Sequence, residues 1–565
     1  MHADEILAGL TPEQAEAVRA PSGPIAVIAG PGTGKTRVLS ARIAHRILAC
    51  GDAPESIVGV TFTTRAGEEL RTRTAQLLGD RPLPFMGTFH AFGLTLLREL
   101  GAPSRRIGTP PQLEALAARL WPAPESNRAG RILGAIQRAK EEGLAPRDVA
   151  DPELAASYAA YEEAMRAEGL LDLPDCILRP VQLLAGDPSA RARLQQRRPH
   201  LLVDEFQDVN PLQLRLLELL GGAGGGLFVI GDPNQAIYAF RGACTFALDR
   251  LRAIWPNLAV HTLGVNWRST RAIVEASVPV LPPAGRATAA ALRAAHEAGP
   301  RPVLARHGTP KAELTWVLRT IEQLIGGTSH YAIDSGWADG NADENMSFGD
   351  IAVLYRTNAQ GDVAQAAFDE AGLPYRRVRP KAPAADEEVV EALQRARSAV
   401  GPEAPAAALA AALGSDDARQ PVKDLAARAA RFVGSVEAFV RDLAFLRPED
   451  TYLPGAHVHL MTFHAAKGLE FPAVFLIGMA DGLVPFVAAS TPEELDEERR
   501  LVYVGCTRAV RRLFLSYPTH GRAGAASARG GPSPFIGDIP AGCLEAPPRA
   551  AAKPKKSWRQ LDLFS

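Results

Sequence analysis

Cysteines and long apolar runs are scarce in this sequence, and each scarcity excludes a class of protein. The 5 cysteines lie far apart and form no CxxC pair. This argues against a zinc site or a disulfide framework and fits a reducing compartment. No apolar run approaches ~18 residues, and the N-terminus carries acidic residues where a signal peptide would carry basic ones. We therefore expect a soluble, cytoplasmic protein without a membrane partner.

An excess of charge of either sign is also missing. The net charge is −1, so the overall charge does not indicate a nucleic-acid partner. Any polyanion would have to bind in a local basic groove. The chain has 565 residues, of which 47% are hydrophobic, and this length predicts roughly three or four domains.

The stretch IAVIAGPGTGKT, residues 25–36, predicts a phosphate-binding turn between a buried strand and a helix. It departs from the strict pattern GxxxxGK[ST] at the first position, where Ala29 replaces glycine. Lys35 can reach the β- and γ-phosphates, and the Thr36 hydroxyl suits a magnesium ion. The alternative is a turn that binds nothing. Three glycines can direct backbone N–H groups at phosphate oxygens: Gly30, Gly32 and Gly34.

Acidic residues follow a second predicted strand, in RRPHLLVDEFQDVNPLQ. Asp204 and Glu205 come at the carboxyl end of this strand, where ligands of parallel sheets bind. We expect Asp204 to hold Mg²⁺ through water and Glu205 to orient or deprotonate the attacking water. Lys35 and Asp204 are too far apart for one βαβ step, so a sizeable insertion is expected between them. Gln235 follows a third strand as a candidate γ-phosphate sensor, although a glutamine that structures a loop is the commoner alternative.

These motifs occur in the order found in the UvrD/Rep/PcrA group of superfamily 1 DNA helicases, which the sequence resembles. The resemblance rests on LTPEQAEAV, FTTRAGEELRTR, GTFHAFGLTLLR, DEFQD, GDPNQAIYAFRGA, VNWRST, HAAKGLEFPAVFLIGM and EERRLVYVGCTRA. It extends over about residues 10–515 and returns at PSPFIGDIP. It implies an α/β fold with two RecA-like P-loop motor domains, each a parallel sheet flanked by helices, and mainly helical insertions.

The resemblance also implies roles around ATP. Gln14 would bond the adenine edge, and Trp267 would stack on its face where relatives commonly have tyrosine. Glu470 would hold the ribose. Arg268 and Arg508 would approach the γ-phosphate from the second motor domain as arginine fingers, although a solvated helix arginine is the ordinary reading of Arg508 alone. Residues of the phosphate turn complete the predicted nucleotide-binding set: Gly30, Gly32, Gly34, Lys35, Thr36 and Arg37.

A protein that moves along a strand must hold it without reading its sequence, so it needs stacking faces and phosphate donors. The family motifs place the following contacts to single-stranded DNA: Phe62, Thr63, Phe89, His90, Tyr238, Phe240, Arg241 and His464. Phe240 stands where close relatives usually have tryptophan, so its stacking would be weaker. For each phenylalanine, packing in a core is the alternative.

The predicted organisation alternates motor domains and insertions. In chain order it comprises the first motor domain (1–100 and 196–265), a helical insertion (101–195), the second motor domain (266–378 and 457–545), a reduced helical insertion (379–456) and a flexible tail (546–565). Relatives usually place a much larger regulatory domain at the second insertion, which contacts duplex DNA and can restrain unwinding. With so small an insertion, we do not expect the same contact with duplex DNA. The polar loop at 326–347 has no assigned role.

The tail combines a tether rich in Pro, Ala and Lys with the terminal peptide QLDLF. This peptide resembles the one by which bacterial proteins bind the replication sliding clamp. Gln560 would be its polar anchor, and three apolar side chains would fill a pocket: Leu561, Leu563 and Phe564. The alternative is that these residues dock on the chain's own surface.

The sequence thus predicts an ATP- and Mg²⁺-dependent motor that moves 3′ to 5′ on single-stranded DNA. We expect it to unwind duplex at junctions in repair or replication restart, in the nucleoid of a bacterial cytoplasm. One alternative is a translocase that displaces bound proteins with little unwinding. A second is a scaffold with a vestigial ATPase, which the intact catalytic set argues against. A fused nuclease would need ~200 further residues, so none is expected.

Overall fold

The computed structural model describes residues 3–122, 127–238, 247–326, 346–378, 383, 386–414, 419–432, 434–446, 448–452, 454–523, 526–527 and 529–547. Several sequence predictions lie outside these ranges. They concern the DNA contacts Phe240 and Arg241, most of the loop at 326–347, and the terminal peptide with Gln560.

Two six-stranded sheets form the framework of the fold. In chain order the strands are β1 Ile25–Ala29, β2 Ile57–Thr61, β3 Phe85–Thr88, β4 Arg106–Ile107, β5 Leu170–Leu171, β6 His200–Val203, β7 Leu227–Gly231, β8 Ala259–Leu263, β9 Val265–Asn266, β10 Arg293–Ala294, β11 Val303–His307, β12 Ile351–Tyr355, β13 Tyr375–Arg377, β14 Val458–Thr462, β15 Phe471–Leu476, β16 Ala509–Pro518, β17 Arg522–Ala523 and β18 Ala526–Ser527. The first sheet has the order β3-β2-β6-β7-β1-β8 and the second β11-β16-β15-β12-β14-β13. All neighbouring strands in these two sheets are parallel.

The α-helices connect these strands or form insertions between them. Their bounds are Ala3–Ala8, Pro12–Arg19, Lys35–Leu48, Thr64–Leu78, Phe89–Glu99, Pro110–Leu120, Arg128–Glu141, Pro152–Ala167, Asp175–Gly186, Pro188–Arg197, Pro211–Gly221, Ala247–Ile254, Arg271–Ser277, Pro283–Ala289, Pro310–Leu324, Asn358–Ala371, Glu387–Val400, Ala406–Leu413, Gln420–Arg431, Val436–Leu443, Pro492–Cys506 and Pro534–Gly537. Among these helices, none combines the length and apolar character needed to cross a membrane.

The central strands β1, β7 and β12 are buried on both faces, which explains why their sequences are apolar without interruption. In β6, Leu201 and Val203 belong to one apolar core while Leu202 belongs to the core on the opposite face. In β12, Ala352 and Leu354 face one core, whereas the alternate residues Ile351, Val353 and Tyr355 face the other. The prediction of an α/β fold with two parallel sheets flanked by helices is therefore confirmed.

Helical segments interrupt both halves of the chain. The first lies between β3 and β6 and includes the helices Pro110–Leu120, Arg128–Glu141 and Pro152–Ala167, which share an apolar core. The second lies between β13 and β14, and its described part has four α-helices between residues 387 and 443, with a small core of its own. The limits of the domains themselves stay a prediction.

A fully buried lysine stabilises the first helical segment. Lys140 has 0% of its surface exposed, and its Nζ lies 2.8 Å from Asp172 Oδ2, 3.0 Å from Asp175 Oδ1 and 2.5 Å from Glu162 Oε1. Burial alone would lower the pKa of Lys140, but the three carboxylates outweigh burial and raise it. The lysine therefore stays charged inside the protein.

Candidate active site

The turn after β1 lines a cleft of about 540 Å³ between the two large sheets. Gly32 and Gly34 have φ angles of +68° and +86°, in the left-handed region that glycine adopts most easily. A Cβ atom on Gly32 would lie 2.6 Å from the Cβ of Arg268, so the turn has no room for a side chain there. The helix Lys35–Leu48 begins directly after this turn. Its N-terminus therefore faces the cleft, which favours phosphate binding.

The departure from the strict motif has a structural explanation. Ala29 is the last residue of β1, and its side chain packs in the apolar core between the first sheet and its helices. A methyl group is accepted at this position because it is buried among the apolar side chains of that core. Lys35 Nζ lies 3.4 Å from the Ala29 carbonyl oxygen and 3.7 Å from Glu205 Oε1. The lysine thus bridges the phosphate turn and the acidic residues.

Asp204 and Glu205 follow β6 directly and line the same cleft. Glu205 has a φ of +46°, and among the described residues it is the one non-glycine residue with a positive φ. Strained backbone of this kind is commonly found at functional sites. The side-chain amide of Gln207 donates to Glu205 Oε2, which fixes the direction of the carboxylate.

The two carboxyl groups have different electrostatic surroundings. Burial, together with the adjacent Glu205, raises the pKa of Asp204. Burial would also raise the pKa of Glu205, but the ammonium groups of Lys35 and Lys467 outweigh it and lower that pKa. Glu205 therefore stays ionised, as a group that orients or deprotonates water must be.

Gln235 is 2% exposed and lies between the acidic residues and the second half of the chain. Its Nε2 donates to Asp232 Oδ2 at 2.7 Å, and its Oε1 accepts from Arg508 Nη2 at 3.4 Å. The amide is thus linked to a charged group on each side. A change at either group would be transmitted through it.

The second half of the chain contributes cations to the cleft. Arg508 comes shortly after the helix Pro492–Cys506 and is 1% exposed, so it is not a solvated helix arginine. It donates to the carbonyl oxygens of Val504 at 2.9 Å and Leu469 at 3.1 Å. Burial lowers the pKa of Arg508 to about 9. A bound polyanion would stabilise this buried cation further, in addition to the nearby carboxylate of Glu205.

Arg268 and Glu470 line the cleft as an ion pair. Arg268 Nε donates to Glu470 Oε2 at 2.6 Å, and Arg268 Nη1 donates to the Thr507 carbonyl at 3.3 Å. Glu470 keeps 59% of its side chain exposed, so it also faces the solvent in the cleft. The resemblance implies that Arg268 contacts the γ-phosphate and Glu470 the ribose, and the ion pair places these two side chains next to each other.

The residues predicted to contact the nucleotide differ in their exposure and in their partners within the cleft. Trp267 is 53% exposed and lines the cleft, and its backbone N–H donates to the Gly32 carbonyl at 2.8 Å. Its ring is therefore available for stacking beside the phosphate turn. Arg37 also lines the cleft, with Nη2 donating to the Gly9 carbonyl at 2.5 Å. Thr36 is a further lining residue.

Gln14 is placed behind the phosphate turn and is not among the residues that line the cleft. Its Nε2 donates to the Thr33 carbonyl at 2.9 Å, and its Oε1 accepts from the Thr11 N–H at 3.1 Å in a capping box. In this arrangement Gln14 supports the turn. Its contact with adenine stays a prediction.

Three of the predicted DNA contacts form one aromatic group. The rings of Phe62 and Tyr238 stack with centroids 5.2 Å apart, and the ring of His464 lies 6.3 Å from that of Tyr238. Phe62 and Tyr238 follow strands of the first sheet, whereas His464 follows β14 of the second. The group therefore spans the two halves of the chain. Tyr238 is only 3% exposed, so its ring has little free face in this conformation.

The remaining described contacts do not join that group. Phe89 is 2% exposed and packs in an apolar core under the first sheet, which agrees with the alternative of core packing. Thr63 caps the helix Thr64–Leu78 by accepting from the Ala66 N–H at 3.2 Å. His90 stacks on Phe445 of the second helical segment, with centroids 6.1 Å apart. The DNA-binding roles of these residues stay predictions.

Sequence reasoning missed two residues that join the halves at the cleft. Lys467 Nζ lies 2.5 Å from Asp208 Oδ2 and donates to the Gln235 carbonyl at 2.6 Å. Asn266, with 0% of its surface exposed, donates to the Pro31 carbonyl at 2.8 Å. Both occur within motifs quoted above, HAAKGLEF and VNWRST. Their position inside these motifs was the one available signal.

A magnesium ion is compatible with this chemistry. Within the described ranges, no group of three or more His, Cys, Asp or Glu residues could hold a metal on its own. Mg²⁺ does not need such a group, because it is usually bound by one or two carboxylates, water and the phosphates of its substrate. Asp204 and Thr36 both line the cleft and offer the oxygen ligands that Mg²⁺ prefers.

Comparison with known proteins agrees with the site. The family model described as UvrD/REP helicase N-terminal domain matches residues 10–253. The UvrD-like helicase C-terminal domain matches residues 261–393 and 426–520, so residues 394–425 of the second helical segment lie outside it.

Three curated relatives illustrate the extent of the similarity. "ATP-dependent DNA helicase UvrD2" of Mycobacterium tuberculosis H37Rv is 34% identical over 95% of this chain and 82% of its own length. "ATP-dependent DNA helicase PcrA" of Leuconostoc citreum is 28% identical over 99% and 89%, respectively. "DNA helicase II" of Escherichia coli K12 is 28% identical over 96% and 89%.

Proposed function

The chain belongs to the UvrD/Rep family of DNA helicases, and we propose that it moves 3′ to 5′ along single-stranded DNA. It is an ATP-hydrolysing DNA helicase. We further propose that it unwinds duplex at junctions in DNA repair or replication restart. The observation that supports the proposal most is the composition of the cleft: Lys35 and Glu205 come from the first half of the chain, and Arg268 and Arg508 come from the second.

Each half would contribute a different part of the hydrolysis reaction. The turn with Lys35 would hold the β- and γ-phosphates, and Glu205 would orient the attacking water and receive its proton. Arg268 and Arg508 would neutralise the charge that develops on the γ-phosphate. Because the halves hold opposite sides of one nucleotide, hydrolysis would change the distance between them.

Mg²⁺ would be held by the Thr36 hydroxyl and the Asp204 carboxylate. When bound, it would neutralise charge on the phosphates. Burial and the adjacent Glu205 raise the pKa of Asp204, and a bound Mg²⁺ would favour its ionised form, as Lys35 already does. Trp267 would stack on the adenine, and Glu470 would exchange its pairing with Arg268 for the ribose.

Movement along DNA would use the aromatic group of Phe62, Tyr238 and His464. These rings come from both halves of the chain, so a change in the cleft alters their relative positions. Stacking on aromatic rings is tolerant of base sequence, as a motor requires. The family motifs assign Phe240 and Arg241 to DNA contact as well, and both lie outside the described residues.

The experiment that tests the proposal compares duplexes with a 3′ tail, a 5′ tail or no tail. We expect ATP-dependent strand displacement with the 3′ tail and little with the 5′ tail or the blunt end. Lys35→Ala serves as the catalytically inactive control. Preferential unwinding of the 5′-tailed duplex would contradict the proposed direction.

A translocase that displaces proteins but unwinds poorly is the second candidate. It is favoured by the small size of the second helical segment, whose described part consists of four helices between residues 387 and 443. The two candidates differ on one substrate pair. A translocase would remove streptavidin from the biotinylated end of single-stranded DNA and leave the 3′-tailed duplex intact, whereas the helicase would act on both.

We also propose that QLDLF recruits the protein to the bacterial sliding clamp. A short peptide that becomes ordered on binding should have an affinity in the micromolar range, on the order of −8 kcal/mol. Deletion of residues 560–565 should abolish clamp binding in a pull-down and leave ATP turnover unchanged. Alanine substitution of Lys555 and Lys556 in the tether is the matched control. Clamp binding that survives the deletion, or turnover that falls with it, would favour docking on the chain's own surface.

A further inference from the structure

The second half of the chain holds the backbone of residues 235–238, which we name the sensor segment. The Gln235 carbonyl accepts from Lys467 Nζ at 2.6 Å, and the next carbonyl, that of Ala236, accepts from Arg500 Nε at 2.9 Å. Lys467 lies in the loop after β14, whereas Arg500 lies in the helix Pro492–Cys506. Two consecutive carbonyls of the first half therefore receive charged donors from two separate elements of the second half.

The position of Arg500 links this contact to the catalytic arginine. Arg508 comes two residues after the end of the helix that carries Arg500. An α-helix behaves as a rigid element, so the group that holds the Ala236 carbonyl and the proposed γ-phosphate arginine move together. Arg500 is not among the residues that line the cleft, so it acts on the site only through other residues.

The contact has an energetic basis. Burial lowers the pKa of Arg500, since the guanidinium has been withdrawn from water. Such a withdrawal is costly unless the group finds an acceptor, and the Ala236 carbonyl provides one. Separating Arg500 from the sensor segment would leave a partly buried charge without this partner. The two are therefore expected to stay together when the cleft opens and closes.

We propose that Arg500 is a positioning residue that couples DNA contact to ATP hydrolysis. It joins the sensor segment to the helix that precedes Arg508, so that Gln235 and Tyr238 shift with Arg508. Gln235 contacts Arg508 beside the phosphate site, and Tyr238 belongs to the aromatic group proposed to bind DNA. The inference rests on that proposed DNA contact and adds a residue through which it reaches the ATP site.

Arg499, the preceding residue, provides a matched control. It has the same charge and lies in the same helix, but within the described part of the chain its hydrogen bonds and ring contact are with the second half. Its Nη1 lies 2.5 Å from Asp538 Oδ2 and 3.0 Å from the Val280 carbonyl, and its guanidinium lies 4.6 Å from the centroid of the Phe535 ring. Loss of Arg499 would therefore affect the helix without releasing the sensor segment.

The test compares Arg500→Met, Arg500→Lys and Arg499→Met in the full chain. Methionine keeps the apolar stem and removes the donor. For each variant we would measure ATP turnover with and without oligothymidylate, the KM for ATP and the unfolding temperature. Arg500→Met should lose ~10-fold of its DNA stimulation, with turnover in the absence of DNA and the KM unchanged. Arg500→Lys should recover part of the stimulation, because its Nζ can donate to the same carbonyl.

Two outcomes would overturn the inference. One is wild-type DNA stimulation in Arg500→Met. The other is an equal loss of stimulation in Arg499→Met, which would trace the effect to the stability of the helix. The readout depends neither on the direction of movement nor on duplex unwinding. Failure of the proposed 3′ to 5′ unwinding would therefore leave the comparison of these variants intact.

Discussion

Both halves of the chain are built on a six-stranded parallel sheet, but they contribute different groups to the cleft. The first half supplies the phosphate turn and the carboxylates of Asp204 and Glu205, and the second supplies Arg268, Arg508 and Lys467. In the proposed mechanism, the first half would activate the water, and the second would add the cations that neutralise charge on the γ-phosphate. The same architecture used twice thus gives one site that is complete only when the halves meet.

The helical segments of the two halves differ as well. The first combines an apolar core with the buried ion cluster of Lys140, whereas the second has a core of alanine, valine, leucine and phenylalanine side chains. A buried charge requires its partners in fixed positions, while an apolar core tolerates substitutions that keep its volume. This difference agrees with the family match, which is continuous through the first segment and interrupted within the second.

Lys35→Ala should produce the largest effect, because it removes the cation that bridges the phosphate turn and Glu205. We expect ATP turnover to be abolished while binding of single-stranded DNA persists, as measured by ATPase assay and fluorescence anisotropy. DNA-stimulated turnover in this variant would show that the first half does not hold the phosphates.

Glu205→Gln should slow turnover by ~10²–10⁴-fold, the usual contribution of a general base, and leave ATP binding intact. Single-turnover hydrolysis and nucleotide binding at equilibrium would separate the two effects. Glu218→Gln removes a charge from an exposed ion pair with Arg215 in the same half and serves as the control. Turnover near wild type in Glu205→Gln would assign the base to another group.

Trp267→Ala should weaken ATP binding without a comparable loss of turnover, because Trp267 lines the cleft beside the phosphate turn and contributes a stacking face. If its ring contributes about 1–3 kcal/mol, as stacked bases do, the KM would rise ~5- to 150-fold. Trp267→Tyr should keep the KM near wild type, since tyrosine offers a similar face. An unchanged KM in Trp267→Ala would exclude the stacking role.

Lys140→Met should leave the chemistry unchanged and destabilise the first helical segment. Removing one partner of a buried ion cluster usually costs about 3–5 kcal/mol, because the remaining carboxylates are left uncompensated. Arg119→Met breaks an exposed pair with Glu168 in the same segment and should change the unfolding free energy by at most ~1 kcal/mol. Equal stabilities of the two variants, measured by chemical denaturation, would remove the contrast between the segments.

The sequence was most informative where the backbone itself restricts the residue. The glycine pattern alone placed Gly32 in the phosphate turn. The structure explains why the pattern is reliable there, because the residue has a positive φ and a side chain would collide with Arg268. Buried strands could be predicted because strands covered on both faces are apolar without interruption, and their parallel pairing was implied by the resemblance to the helicase family. The departure at Ala29 was harmless because that residue still belongs to β1.

The sequence was least informative where a side chain finds its partner far along the chain. Lys467 contacts Asp208 and Gln235, and no local pattern reports such a pairing. Phe89 lies in a motif but packs in the core, since its ring fits the apolar space under the first sheet. Gln14 forms a capping box with Thr11 and bonds to the Thr33 carbonyl, contacts that its family motif does not report.

The most direct test of the divided site is the ATP turnover of Arg508→Ala in the presence of single-stranded DNA, beside its affinity for ATP. Arg508 comes from the half without the phosphate turn and is buried against Gln235. We expect turnover to fall ~10³-fold or more, as on loss of an arginine finger, with a much smaller change in affinity. Turnover close to that of the wild type would contradict the account, because the first half would then hydrolyse ATP without the second.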